Sequence, residues 1–417
     1  MNDRKLYEQI LGIRKPWHVE RVDLRLDEGE VLIHVEGLAE VEQCPECDRR
    51  CARYDSSERR WRHLDTCQFR TILVAQVPRV KCNEHGVHQI RVPWAEERSR
   101  FTALFEALVI DWLLLTENIA AVAKGLRLSW DEVARIRSSA VSRGLKRRGK
   151  AKLPAALGVD ETSVKKRHEY VTIVNALDQP RVLDVIDHRT TESLDAFWSQ
   201  YSAKELSVIE KVAMDMWPPY ITSTSNHLED PEDKIVFDKF HVMKHLGDAV
   251  DKVRRTEHRL LLVEGDERLK GTRYLWLTHP QRLEGDARRR VNQLRNSALR
   301  TARAFRYKEQ ASRMWGYVRY GMAERVWRSW LHGALRCSLE PIRAVARMIR
   351  HHWAGVMNAA TSDITNAASE SMNAQIQRIK KRACGYRSRS RFREAILFHF
   401  GALQLYPEMV ASIHTKP

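Results

Sequence analysis

Asp160 sits inside a short apolar run, Ala155-Ala-Leu-Gly-Val159-Asp160, and Asp215 ends a second one at residues 208–214. A carboxylate set into an apolar strand loses its hydration unless a cation, a hydrogen-bond network or solvent meets it. A third acid, Glu370, heads a segment in which Met372, Ile376, Ile379 and Ala383 recur at the i, i+4, i+7, i+11 spacing of a buried helical stripe. Asn373, Gln377 and Lys381 share the opposite, polar face with Glu370. Carboxylates so placed suit magnesium, a hard ion held by few carboxylates together with substrate phosphate oxygens. Glu161 is the nearest substitute for one of the three acids, and Asp187, Glu210 and Glu394 are others.

A second chemistry is written in Cys44-Pro-Glu-Cys47 and Cys82-Asn-Glu-His85, two knuckles with 34 residues between them. A two-residue gap lets one tight turn present two ligands, and structural zinc takes four soft or borderline ligands in a tetrahedron. The spacing predicts zinc on Cys44, Cys47, Cys82 and His85, with His88 the rival to His85 and Cys51 and Cys67 as further substitutes. Seven cysteines, an odd number unevenly spread, argue against a disulfide framework and for a reducing, cytoplasmic compartment.

Composition narrows the partner. Lysine plus arginine exceed aspartate plus glutamate by 71 − 54 = 17 in 417 residues, which is large for an enzyme of small molecules and points to a polyanion. The charge is clustered: Arg143, Lys146, Arg147, Arg148, Lys150 and Lys152 form one run, and residues 378–393 hold eight basic residues and no acid. No stretch approaches the roughly eighteen apolar residues of a membrane span, since Asp111 breaks the best candidate, residues 108–115. The opening Met1-Asn-Asp-Arg-Lys lacks the apolar core of a signal peptide.

These residues need elements to hold them. Residues 19–26 and 31–35 flank Asp27-Glu-Gly-Glu30 as a hairpin, and residues 69–80 read as a strand joining the knuckles. An amphipathic helix is expected over 101–115. Residues 119–128, a turn, and 133–141 then read as helix-turn-helix, with Ser129 and Glu132 spaced as a capping box. Its second helix would offer Arg135, Arg137 and Ser138 to a DNA groove. From residue 153 the expected order is three antiparallel strands and then helix, strand, helix, strand, with Asp160 in the first strand and Asp215 ending the fourth. That is the order of an α/β ribonuclease-H-like core, with acids where that fold keeps its metal ligands. The 154 residues between Asp215 and Glu370 exceed what such a core needs, so residues 246–358 read as an α-helical insertion. Trp276, Trp315, Trp327, Trp330 and Trp353 are expected to pack its helices.

Gly158-Val-Asp160-Glu161, Val212-Ala-Met-Asp215, Asp238-Lys-Phe-His241 and the Glu370-Ser-Met-Asn373 block, with Lys380-Lys-Arg382-Ala-Cys-Gly-Tyr-Arg387, together resemble bacterial insertion-sequence transposases of the DDE class, nearest to the ISL-three family. The resemblance spans nearly the whole chain. It implies a triad of Asp160, Asp215 and Glu370, with Asp238 and His241 as an Asp-x-x-His motif beside the active site. The expected domains are zinc-binding β at 1–98, helix-turn-helix at 99–150, the core in two parts at 151–245 and 359–417, and the insertion at 246–358.

The implied reaction is phosphoryl transfer on DNA at two magnesium or manganese ions, bridged by Asp160 and completed by Asp215 and Glu370. His241 would contact the scissile phosphate or orient a ligand. Lys146, Arg147, Arg148, Lys380, Lys381, Arg382 and Arg387 would neutralise backbone phosphates. The partners would be double-stranded DNA, as element ends and target, and a second copy of the chain in a paired-end complex on the nucleoid. Two rivals are a transposase-derived DNA-binding regulator without catalysis and a nuclease that cuts without joining.

Overall fold

The computed structural model describes residues 3–37, 42–165, 169–362, 364 and 367–410. It forms two compact units. One holds the residues up to Gly149 with Arg382–Cys384 and 402–410; the other holds Lys150–Lys381 and Gly385–Gly401. Among the described residues no helix is long and apolar enough to cross a membrane.

In the first unit, β1 (Trp17–Arg25), β2 (Glu30–Gly37), β3 (Glu42–Gln43), β4 (Arg50–Cys51), β5 (Arg53–Arg62), β6 (Arg70–Cys82) and β7 (Gly86–Gln89) form two sheets. The larger has the order β1-β2-β6-β5, with β7 also paired to β6, and β3 and β4 pair as a separate ribbon. The expected hairpins are present: β1 pairs β2 antiparallel, and β5 pairs β6 antiparallel. Trp17 and Trp61 both pack edge-on against Trp94, at 4.9 and 5.4 Å between ring centroids.

Three helices follow, Ala103–Thr116, Ile119–Leu126 and Trp130–Arg148. Each starts on a side-chain cap, Thr102, Asn118 and Ser129, and Ser129 with Glu132 closes the full capping box. Residues 402–410, which sequence reading placed with the core, pack instead in this unit. Gly144 makes room for them, since a Cβ there would lie 2.7 Å from that of Leu403. Arg143 donates to the Leu405 carbonyl at 2.5 Å, Arg147 to that of Tyr406 at 2.6 Å, and the Tyr406 hydroxyl to Asp111 at 2.6 Å.

The second unit is built on β8 (Ala156–Lys165), β9 (Glu169–Ala176), β10 (Arg181–Asp187), β11 (Lys211–Met214) and β12 (Ile235–Phe237), in the order β10-β9-β8-β11-β12. β8, β9 and β10 pair antiparallel, and β11 lies parallel to both β8 and β12. Helices Thr191–Trp198 and Ala203–Leu206 precede β11, and Pro218–His227 and Pro231–Lys234 precede β12. This is the expected alternation. The helix Lys239–Val263 starts directly after β12, ahead of residue 246, with Asp238 as N-cap. Later helices include Arg300–Met314, Tyr320–Arg336 and Trp353–Thr361. Trp276, Trp327 and Trp330 are buried, and Trp315 and Trp353 pack against the same core. They are packing residues, as expected.

Candidate active site and zinc knuckles

Hydrogen-bond register sets the acids in a row. Val159 pairs with Met214, and Met214 pairs with Phe237 on its other side, so three buried residues stand abreast across β8, β11 and β12. The next residue on each chain is Asp160, Asp215 or Asp238. Side chains alternate along a strand, so the apolar row faces the core and the acids share the other side. Asp238 Oδ1 accepts the Phe240 N–H at 2.9 Å, which starts the following helix, and one turn along that helix is His241.

His241 Nδ1 lies 2.8 Å from Asp215 Oδ1 and 2.9 Å from Asp238 Oδ2. Its bonds to Asp215 and Asp238 push its pKa up to about 10. Asp160 is pushed up to about 7 by burial and then by the charge of Asp215. Glu370, which keeps solvent access, is also raised, by partial loss of hydration and then by Asp238, with Asp215 adding to it. The structure thus brings Asp160, Asp215, Glu370 and His241 into one electrostatic field and adds Asp238. Asp215 Oδ1 is sealed from solvent, and the His241 ring at 2.8 Å is its close neighbour. An enclosed carboxylate oxygen in a crowd of acids is what a divalent cation would satisfy. Glu161 is committed elsewhere: Arg189 holds it at 2.7 Å, with the guanidinium packed between Tyr170 at 4.2 Å and Trp217 at 4.6 Å.

Glu370 is delivered by the helix Ala367–Arg382, whose Met372, Ile376 and Ile379 are buried as the periodicity predicted. Part of its polar face docks on β8 rather than facing solvent. Asn373 donates its amide to Asp160 Oδ2, Gln377 donates to the Thr162 hydroxyl, and Lys380 donates to the Ser163 carbonyl at 2.7 Å. Sequence reading missed this docking; the signal was the 3–4-residue spacing of Asn373, Gln377 and Lys380, which runs alongside Asp160, Thr162 and Ser163 of β8. It also missed Gly158, where a Cβ would meet Ser369 Oγ at 2.2 Å.

The knuckles converge. The ligand atoms of Cys44, Cys47, Cys82 and His85 all lie within 4.8 Å of one another. Cys47 to Cys82 is 3.8 Å, Cys44 to His85 Nδ1 3.9 Å, and Cys82 to His85 Nδ1 3.6 Å. A tetrahedron with metal–ligand bonds of about 2.0–2.3 Å has edges of about 3.3–3.8 Å, so this donor set fits zinc. The backbone N–H groups of Glu84 and His85 help hold the Cys82 thiol down at about 6. His88 turns to the His85 carbonyl at 2.5 Å.

The expected DNA contacts divide. Arg135, Lys146, Lys381 and Arg387 are exposed. Arg137 is buried, because it falls on the stripe of Val133, Ile136, Ala140 and Val141, so it does not face a groove. Ser138 and Arg148 are half-buried. Arg147 is exposed but binds backbone carbonyls, and Arg382 pairs with Glu117 at 3.1 Å. Lys380 is half-buried against Ser163, and burial lowers its pKa.

Comparison with known proteins places this geometry. Residues 157–396 match the family model described as the transposase domain of the ISL3 DDE type. Residues 40–85 match the zinc-finger of transposases IS204/IS1001/IS1096/IS1165, and residues 90–140 the helix-turn-helix domain of transposase family ISL3. The chain is 27% identical over 398 residues to the transposase for insertion sequence element IS1001 of Bordetella parapertussis, covering 94% of this chain and 97% of that one. It is 25% identical over 420 residues to the transposase for IS1557 of Mycobacterium tuberculosis, covering 93% of each. A zinc ribbon, a helix-turn-helix and an acid-bearing mixed sheet, in that order and matched over more than half the length by one family, make this chain a member of the ISL3 transposases.

Proposed function

We propose that the protein binds the terminal inverted repeats of an insertion sequence and carries out metal-dependent DNA strand cleavage and strand transfer on a ribonuclease-H-like core. The row of Asp160, Asp215 and Asp238, with Glu370 brought to it, is the observation that carries this reading. Asp160, Asp215 and Glu370 would hold two magnesium or manganese ions, which supply an activated water or DNA 3′-hydroxyl and charge stabilisation at the leaving oxygen. Asn373 fixes Oδ2 of Asp160, and the Glu161 N–H binds Oδ1 at 2.7 Å, so the carboxylate is oriented before substrate arrives. His241, held cationic by Asp215 and Asp238, sets a positive charge beside the scissile phosphate. Lys381 and Arg387 contact flanking phosphates, and the helix Trp130–Arg148 reads the ends through Arg135 and Lys146. Joining two paired ends requires at least two copies of the chain, working on the nucleoid.

The test is Asp215→Asn in the full-length protein. Cleavage and joining of a pre-cut end should fall by at least about 10²–10³, the scale of losing one preorganised charge-stabilising group, while binding to the element ends persists. Undiminished cleavage would overturn the assignment of the acids.

A further inference from the structure

The helical segment after β12 contains a groove lined by arginines and by no acid. Helices Arg300–Met314 and Tyr320–Arg336 enclose a cavity of about 600 Å³. One wall carries Arg303, Arg306, Gln310 and Arg313, all exposed, at the i, i+3, i+7, i+10 spacing of a single helix face. The other wall offers the small residues Ser329 and Gly333, and Tyr317 is 43% exposed at the lining.

No carboxylate lines this groove. The acids of the two helices are engaged elsewhere, Glu309 with Arg295 at 3.3 Å and Glu324 with Arg328 at 2.7 Å. Among the described residues, Arg303, Arg306 and Arg313 have no carboxylate partner, and Arg303 makes only a 3.3 Å contact with the Ser338 hydroxyl. Three unpaired guanidiniums on one face repel one another and need an anion with repeated charge. Arg303 to Arg313 spans about 15 Å of helix, about four nucleotides of duplex rise. Arg313 also lines a second cavity of about 600 Å³ with Phe240 and Lys244, and the Phe240 ring is 5.7 Å from that of His241. That cavity carries Asp248 and Glu309 as well, so the acid-free groove is the stronger anion site.

We propose that this groove binds the phosphodiester backbone of one DNA strand flanking the cleavage site, with a base or sugar against Tyr317. The proposal rests on the transposase reading but is tested by a different readout. Full-length protein is titrated, over a range of salt, with a labelled duplex of arbitrary sequence and with one of its strands alone. The combined Arg303→Glu, Arg306→Glu, Arg313→Glu variant should lower the slope of log affinity against log salt by about two to three, near one for each lost phosphate contact. The corresponding triple lysine variant should keep most of the slope, which separates lost charge from lost fold. On the unmodified protein, iodouracil-substituted DNA should cross-link to peptides within residues 300–333. An unchanged slope with cross-links confined to other regions overturns the proposal. So does an unchanged slope accompanied by a shift in oligomeric state, which would give the groove to a second copy of the chain. Strand cleavage is scored separately: a protein that cross-links here but never cuts with any divalent metal refutes the transposase mechanism and leaves the groove standing.

Discussion

Gly158 and Ser369 occupy almost the same space: a Cβ on the glycine would lie 2.2 Å from the serine hydroxyl oxygen and 2.7 Å from Asn175 Oδ1. Gly158 stands two residues before Asp160 on β8, and Ser369 directly precedes Glu370. The bare backbone at 158 is therefore what lets the glutamate-bearing helix reach the strand that bears the first aspartate.

Gly158→Ala should push the head of that helix outward. Overpacking of this kind costs about 1–3 kcal/mol, and DNA cleavage should fall by more than the stability loss explains. Adding Ser369→Gly should return much of the activity, because the two residues share one contact. Cleavage in the double variant no better than in the single one would show that the contact does not position Glu370.

The metal-free site should favour acid. Asp160, at about 7 when folded against an ordinary 3.8, keeps a proton that the unfolded chain has released, so its contribution to stability is lost as pH rises from about 4 through 7. His241, raised from 6.5 to about 10, acts in the same direction: its contribution is full below 6.5 and lost as pH climbs through 10. The thermal midpoint without metal should fall between about pH 5.5 and about pH 8.5. Magnesium should raise it more at the higher pH, since binding displaces the Asp160 proton. Equal magnesium-induced shifts at both values would refute the coupling.

Zinc content checks the knuckles. Cys44→Ser and Cys82→Ser should each strip the metal and loosen the first unit, while His88→Ala should retain it, because His88 is turned to a backbone carbonyl. Metal analysis of the purified variants decides; full zinc in either serine variant excludes that cysteine.

Lys380 and Lys381 are adjacent but should behave differently. Lys381→Ala should reduce the salt dependence of DNA binding by about one unit of slope. Lys380→Met should leave the slope alone and cost about 1 kcal/mol of stability, the usual net worth of its hydrogen bond to Ser163. Chemical denaturation and binding titrations on the two variants separate these roles.

Much of this site was legible because its signals are local. Acids in apolar runs mark Asp160 and Asp215, a two-residue gap marks each knuckle, and helical periodicity marks Met372, Ile376 and Ile379. What stayed hidden depends on which surface meets which. The period of the Ala367–Arg382 helix gives two faces but not that β8 lies under part of the polar one, so nothing in it ties Asn373 to Asp160. Arg137 read as a groove contact because charge outweighed its place on the buried stripe. Residues 402–410 carry no pattern tying them to Gly144, Arg143 and Arg147, which lie more than 250 positions upstream.

Asp160, Asp215 and Asp238 each stand one step beyond the paired row Val159, Met214 and Phe237. Their placement is counted in ladder bonds rather than in chain length. Dropping or adding one residue inside β8, β11 or β12 would flip an acid into the core. The loops and the long helical excursion ahead of Glu370 can be lengthened or trimmed at no such penalty. Drift among relatives in this lineage should therefore gather as length variation between the strands, with none inside them.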